Sequence, residues 1–332
     1  MKMTKPARAV RIAVLMARAV LMACALVALP GVAAAEGYPD RPVRIIVPSG
    51  ADGPYDFVGR LLANRLSDLM GQTFFVENRT GAGTLVGTQS AAAAAADGYT
   101  LLVGGLSNLV FNFALYQKIG YEPGDFVPIA LVYSFPYVML ARRDLPQRNL
   151  AEIINYARQS PGKLTIAHAG SGSGQQIVGA AFMKLTGTTM VEVPYRRTNG
   201  AYPDMLAGRV DLLFDSAAVA RPLIAANKVR GVALLAPLRY PTMPDLPTIG
   251  EAGLPRLDTE SWIGLFAPAG TPPEVLDRLR SATRIAADEL KPQFEKSGGS
   301  LMQVTVAGAD KFIKSEFDLW TRVIRDAGIR LD

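Results

Sequence analysis

Four stretches of this 332-residue chain are rich in Gly, Ser, Thr and Asn: Ser49–Asp56, Thr80–Gly87, Gly104–Asn108 and Ala169–Gln175. Glycine lets a ligand approach the main chain, and amide groups at a helix start favour an anion. The candidate ligand-binding residues are therefore Ser49, Gly50, Ala51, Asp52 and Tyr55 in the first stretch, Thr84 in the second, and Ser107 and Asn108 in the third. The fourth adds Ser171, Gly172 and Ser173, with His168 just before it. Tyr195, Arg196, Thr198 and Asn199 follow a later apolar run, and Asp215 ends another. Arg196 or Arg197 either forks onto a carboxylate or forms a solvated basic pair. Asp215 either accepts from an amino group or caps the next helix. Such residue types suit the capture of a small anion better than bond-breaking chemistry.

Enzyme patterns are missing from the same stretches. No G-x-x-x-x-G-K-[ST] occurs, and Gly81-Ala82-Gly83 is followed by Gly87, one residue too far for G-x-G-x-x-G. Gly170-Ser171-Gly172 has Gln175 where a third glycine belongs, and no G-x-S-x-G elbow is present. His168 is the only histidine, so imidazole chemistry would have to use it; the bland alternative is a strand-end histidine bonded to backbone. One histidine, and one cysteine at Cys24, make zinc an unsuitable ligand, and no metal or cofactor is expected.

Short apolar runs alternate with helical spacing along most of the chain. Strands are expected at Arg44–Pro48, Phe74–Val76, Tyr99–Val103, Leu164–Ala167, Val191–Val193, Val210–Phe214 and Val232–Leu235. Helices are expected from Phe57 to Leu69 and over Thr84–Ala96, Ala151–Arg158, Gln175–Leu185, Ala217–Ala226, Pro273–Leu290 and Ala309–Ala327. This rhythm predicts an α/β fold with parallel strands and right-handed crossovers. It breaks at Phe126–Arg142 and Leu257–Pro268, where apolar residues run on without helical spacing. Two breaks imply one lobe inserted into another, each a sheet flanked by helices, with two hinge crossings. The division is 36–133 plus 262–332 for the outer lobe and 134–261 for the inserted one. Trp262 is expected to pack the hinge.

The formal charge of +6 suggests an anionic polymer until it is located. Residues 1–35 hold Lys2, Lys5, Arg8, Arg11 and Arg18 and no acid, leaving 30 basic against 29 acidic residues, a net +1. Binding to nucleic acid loses its basis there. The same segment has a basic start, an apolar centre and small residues at Val32-Ala33-Ala34-Ala35, the pattern of a signal peptide cleaved after Ala35. Leu21-Met22-Ala23-Cys24 only faintly resembles a lipoprotein box, and cleavage would leave a chain without disulfides or thiols. An exported protein is expected.

Six blocks carry a resemblance over the whole stretch from Tyr38 to Ile329. They are Tyr38-Pro39-x-Arg41-Pro42-Val43-Arg44-Ile45-Ile46-Val47-Pro48, Glu77-Asn78-Arg79-x-Gly81-Ala82-Gly83, Asp97-Gly98-Tyr99-Thr100-Leu101-Leu102, Val193-Pro194-Tyr195, Pro247-Thr248-x-x-Glu251-Ala252-Gly253 and Ala267-Pro268-Ala269-Gly270-Thr271-Pro272. In them the chain resembles the Bug family, the extracytoplasmic solute receptors of tripartite tricarboxylate transporters. The resemblance implies a monomeric two-lobe periplasmic binding protein, type II-like, that closes over a carboxylated small molecule. It would deliver an amino acid, a di- or tricarboxylate or a related acid to the large and small permease subunits. It also implies a carboxylate held by backbone amides and waters of the first glycine-rich loop. Here Asp56 keeps its place, but Asp52 stands where the family has a glycine, so it either turns to solvent or meets a cationic amino group. His168 and Ala169 likewise replace small polar residues. Two other readings stay open: a sensing module acting on a membrane kinase, and an exported hydrolase using Ser171 with His168.

Overall fold

Val43–Val47 forms strand β1 because four of its five side chains are buried, which only a strand covered on both faces allows. Pro54 then opens helix α1 (Pro54–Met70), and its buried face carries Val58, Leu62, Ala63 and Leu66 at three- and four-residue spacing. Gly71 ends that helix in the left-handed region, φ 70°, and donates its N–H to the Ser67 carbonyl. The same unit recurs as β2 (Phe74–Asn78) with α2 (Leu85–Ala92), and as β3 (Thr100–Gly105) leading through a π-turn at Ser107–Phe111 into α3 (Asn112–Leu115). The computed structural model describes residues 37–51, 53–254, 257, 260–304 and 306–331, and the described residues from Pro39 onward form one compact unit. The expected leader, its cleavage site and Asp52 lie outside the described residues.

The first break in the rhythm is a single 17-residue strand, β4 (Phe126–Arg142). Pro128 gives no N–H to a ladder, and the register against the neighbouring strand slips between Pro128 and Ala130 and again before Tyr133. After β4 come α4 (Leu150–Gln159), β5 (Thr165–His168), α5 (Gly174–Thr186), β6 (Val191–Pro194), α6 (Ala201–Leu206), β7 (Leu212–Ser216), α7 (Ala217–Ala225) and β8 (Val229–Leu235). The second break is β9 (Glu260–Pro268); α8 (Pro273–Lys296), β10 (Ser300–Val304) and α9 (Val306–Ala327) complete the chain.

The ten strands form one sheet with the order β2-β1-β3-β9-β4-β7-β5-β6, and β8 and β10 also pair with β4. Between the described strands, parallel pairing joins β1 to β2 and β3, and β5 to β6 and β7. Both former breaks run antiparallel to their neighbours, so the sheet is mixed rather than parallel throughout. The reason is topological: β4 and β9 are long crossings, not members of strand–helix units. β4 pairs with β9 and β10 through its first part and with β7 and β8 from Tyr137 onward. Apolar side chains pack on both stretches, Tyr133, Phe135 and Phe294 beside the first and Val138, Leu140 and Leu213 beside the second.

Candidate functional site

The carboxyl ends of β1, β2 and β3 and those of β5, β6 and β7 open into one cavity of about 760 Å³, a size suited to a small molecule. Its first wall is the loop after β1. Asn78 at the end of β2 fixes that loop by donating from Nδ2 to the Ser49 carbonyl (3.1 Å) and to Asp56 Oδ1 (2.8 Å). Asp56 is 4% exposed and also accepts from Arg60 Nε at 2.8 Å, so this acid at the helix start is neutralised from behind. Gly53 caps α1 without a side-chain acceptor, and the positive end of the helix macrodipole lies against the cavity. The Ser49 hydroxyl is buried without a hydrogen-bond partner among the described residues. Tyr55 lies beside it, its phenol oxygen accepting from the Ser107 amide (3.2 Å); burial pushes that phenol up to about 12.

The loop after β2 adds Thr80–Thr84 to the same wall. Ala82 (φ 42°) and Thr84 (φ 98°) occupy the left-handed region that favours glycine, a strained backbone of the kind concentrated at binding sites. Surrounding bonds impose it: Asn112 Nδ2 donates to Thr84 Oγ1 (3.2 Å), and Tyr116 donates to the Ala82 carbonyl (3.4 Å).

The opposite wall follows β5 and β6. Ser173 caps α5 by accepting from the Gln176 amide, and Gln175 Nε2 donates to Thr198 Oγ1 at 3.0 Å, joining the two loops. Arg196 and Arg197 are exposed at this rim and neither is in an ion pair among the described residues. The floor is Phe135, Tyr137, Asp215, Ser216 and Val219. The walls meet in two places: a Cβ on Gly83 would run into the Ser171 carbonyl, and a Cβ on Gly50 would stand 3.7 Å from Arg197 Cδ.

Of the residues singled out from the sequence, Ser49, Gly50, Ala51, Tyr55, Thr84, Ser107, Ser171, Ser173, Tyr195, Arg196, Thr198, Asn199 and Asp215 line this cavity. Asn108, His168 and Gly172 do not. Asn108 is fully buried, its Oδ1 accepting from the Gly105 amide (2.9 Å) and its Nδ2 donating to Thr88 (3.1 Å), so it builds the turn after β3. His168 is 4% exposed with Nδ1 3.1 Å from the Gly170 carbonyl, the backbone-bonded arrangement. Gly172 turns its amide to Gln176 Oε1. Asp215 does not cap α7 from the N-cap position, which Ser216 holds; it accepts from the Tyr202 hydroxyl and the Ser216 amide. Trp262 is buried in β9 against Phe312. Phe135, Tyr137, Gln175, Ser216 and Val219 were not singled out as ligand contacts. Only Gln175, which closes one of the four loops, carried any mark of its place.

A sequence-family model described as "Tripartite tricarboxylate transporter family receptor" matches residues 58–329. The chain belongs to that family. BugT of Bordetella pertussis is 31% identical over 312 residues, covering 92% of this chain and 96% of BugT, which places the chain beside the Bug receptors. Among solved structures, Rpa4515 of R. palustris with adipate superposes with a TM-score of 0.83 at 31% identity, over 89% of this chain and all of that one. MatC from Rhodopseudomonas palustris with bound malate gives 0.81 at 32% identity, over 86% of this chain and all of MatC. Members of the tripartite tricarboxylate transporter receptor family are solute-binding proteins of the periplasm, and this chain is a solute-binding receptor of that family.

Proposed function

We propose that this receptor traps a small carboxylated solute in the cavity, works in the periplasm of a Gram-negative bacterium, and passes the solute unchanged to the large and small permease subunits of a tripartite tricarboxylate transporter. The observation that carries the reading is the cavity itself, where loops from two sets of strands bring an unpartnered serine hydroxyl and a helix N-terminus together around space for a small acid. The adipate and malate in two similar structures support the ligand class. No helix among the described residues is long and apolar enough to cross a membrane, in keeping with a receptor that leaves membrane passage to its partners.

In this reading 36–133 with 262–332 make one lobe and 134–261 the other, and β4 and β9 are the strands that twist when the walls part. The contacts of Gly83 with Ser171 and of Gly50 with Arg197 are then the closed mouth. A hydrolase using Ser171 is not favoured: Ser171 lines the cavity, but the His168 ring does not and is tied to a carbonyl. The test is native purification followed by mass spectrometry of released small molecules, then titration calorimetry with short mono-, di- and tricarboxylates. One-to-one saturable binding that weakens in Ser49→Ala is expected. Turnover of any bound acid, or absence of binding across the whole panel, defeats the reading.

A further inference from the structure

Asp215 closes β7 with its carboxyl in the cavity floor, 1% exposed. Oδ2 accepts from the Tyr202 hydroxyl at 2.6 Å and Oδ1 from the Ser216 amide at 2.7 Å. The groups facing it are Tyr202 from α6, Tyr137 from β4, the Gln175 amide from α5 and its own neighbour Ser216. None of them carries a positive charge. Among the described residues no lysine or arginine pairs with it, and Arg196 and Arg197 stand exposed at the rim. A buried carboxylate that only neutral groups support is costly, because hydrogen bonds replace part of its hydration and nothing replaces a counter-charge. Burial accordingly pushes this carboxyl up to about 6.

A second acceptor lies beside it. Ser216 is 1% exposed, lines the same floor, and its hydroxyl has no hydrogen-bond partner among the described residues. The floor therefore offers a carboxylate and a hydroxyl oxygen, while the first wall offers the Ser49 hydroxyl and the positive end of α1. An ammonium group brings one positive charge and three donors and satisfies both floor acceptors at once. A ligand hydroxyl brings a single donor and no charge. A second carboxylate would be repelled.

We propose that the cavity selects an amino carboxylate, its carboxylate on the Ser49 wall and its ammonium on Asp215 and the Ser216 hydroxyl. This rests on the reading of the cavity as a carboxylate receptor site and names the class of acid. Asp215 is in this role a ligand-contacting specificity residue, and a plain dicarboxylate is a poorer ligand than its amino counterpart.

The experiment is titration calorimetry of the purified protein with pairs that differ only in the amino group: aspartate and succinate, glutamate and glutarate, phenylalanine and 3-phenylpropanoate. In at least one pair the amino acid is expected to bind roughly tenfold tighter or more. Asp215→Asn should erase that preference by weakening the amino acid alone, and Ser216→Ala, which keeps the carboxylate, should reduce it. Near pH 6 the amino acid should release a proton on binding, read from heats in buffers of different ionisation enthalpy, because an ammonium beside Asp215 holds it ionised. If the wild-type protein binds carboxylates but shows no amino preference, or if Asp215→Asn keeps the preference, the inference is overturned and the receptor reading stands. Binding of no member of any pair overturns both.

Discussion

At the scale of single residues the site is built from acids and hydroxyls whose surroundings decide their roles. Asp56 and Asp215 are both buried and both line up with helix starts, yet one has Arg60 and Asn78 at its back and the other has only neutral donors. Asp215 ordinarily titrates near 3.8 and in the fold near 6, so the folded chain holds this proton more tightly than the unfolded chain does. The stability from that group is complete below about pH 4 and is lost as pH rises through 6, amounting to roughly 3 kcal/mol before compensation. Asp215→Asn removes the loss at the cost of weakened bonds to Tyr202 and Ser216, about 1 kcal/mol each. Urea denaturation of both proteins should show the variant gaining on the wild type between pH 4.5 and pH 7.5; a constant gap would contradict the assignment. The residues themselves hinted at much of this. Ser49, Thr84 and Asp215 were legible as candidates because a small polar side chain between a strand and the next helix either caps that helix or faces what binds there. Asn108 and His168 carry the same chemistry but point elsewhere, since residue type does not encode which way a loop turns.

Elements bring these residues together through close main-chain approaches. A Cβ on Gly174, the first residue of α5, would run into the Tyr137 hydroxyl, so that helix begins hard against β4. Gly174→Ala should destabilise the protein by about 1–3 kcal/mol through overpacking. Tyr137→Phe in the same chain should recover part of that loss, which a double-mutant cycle by chemical denaturation measures. Gly83 meets Ser171 across the mouth with φ 59°, and Gly83→Val adds bulk where the walls touch. Calorimetry should show ligand affinity falling by about tenfold or more, a larger change than the strain of about 1 kcal/mol alone would give to folding. The strand–helix units could be read from apolar runs and helical spacing because those signals are local. The antiparallel placement of β4 and β9 could not, because their partners are far apart in sequence. For the same reason Phe135 and Tyr137, apolar and aromatic residues inside a long strand, gave no sign that they floor the cavity.

At the scale of the whole molecule, the sheet is continuous while the cavity divides it. The two parts of β4 serve different neighbours, and β9 crosses alongside only the first. If the walls part by twisting these strands, the ligand-free protein is larger, and small-angle scattering should record a decrease in radius of gyration when a bound acid is added. A melting temperature that climbs with ligand concentration is the matching thermodynamic readout. The same strand shapes how the chain comes to be folded. β4 ends at Arg142, and the strands that hydrogen-bond to it begin at Leu212, Val229, Glu260 and Ser300, all made later. A nascent chain therefore carries a long, apolar, unpaired ribbon for at least the time needed to synthesise the next 70 residues. Until those partners arrive it is the segment most exposed to stray association, and the one a holding chaperone has most reason to cover.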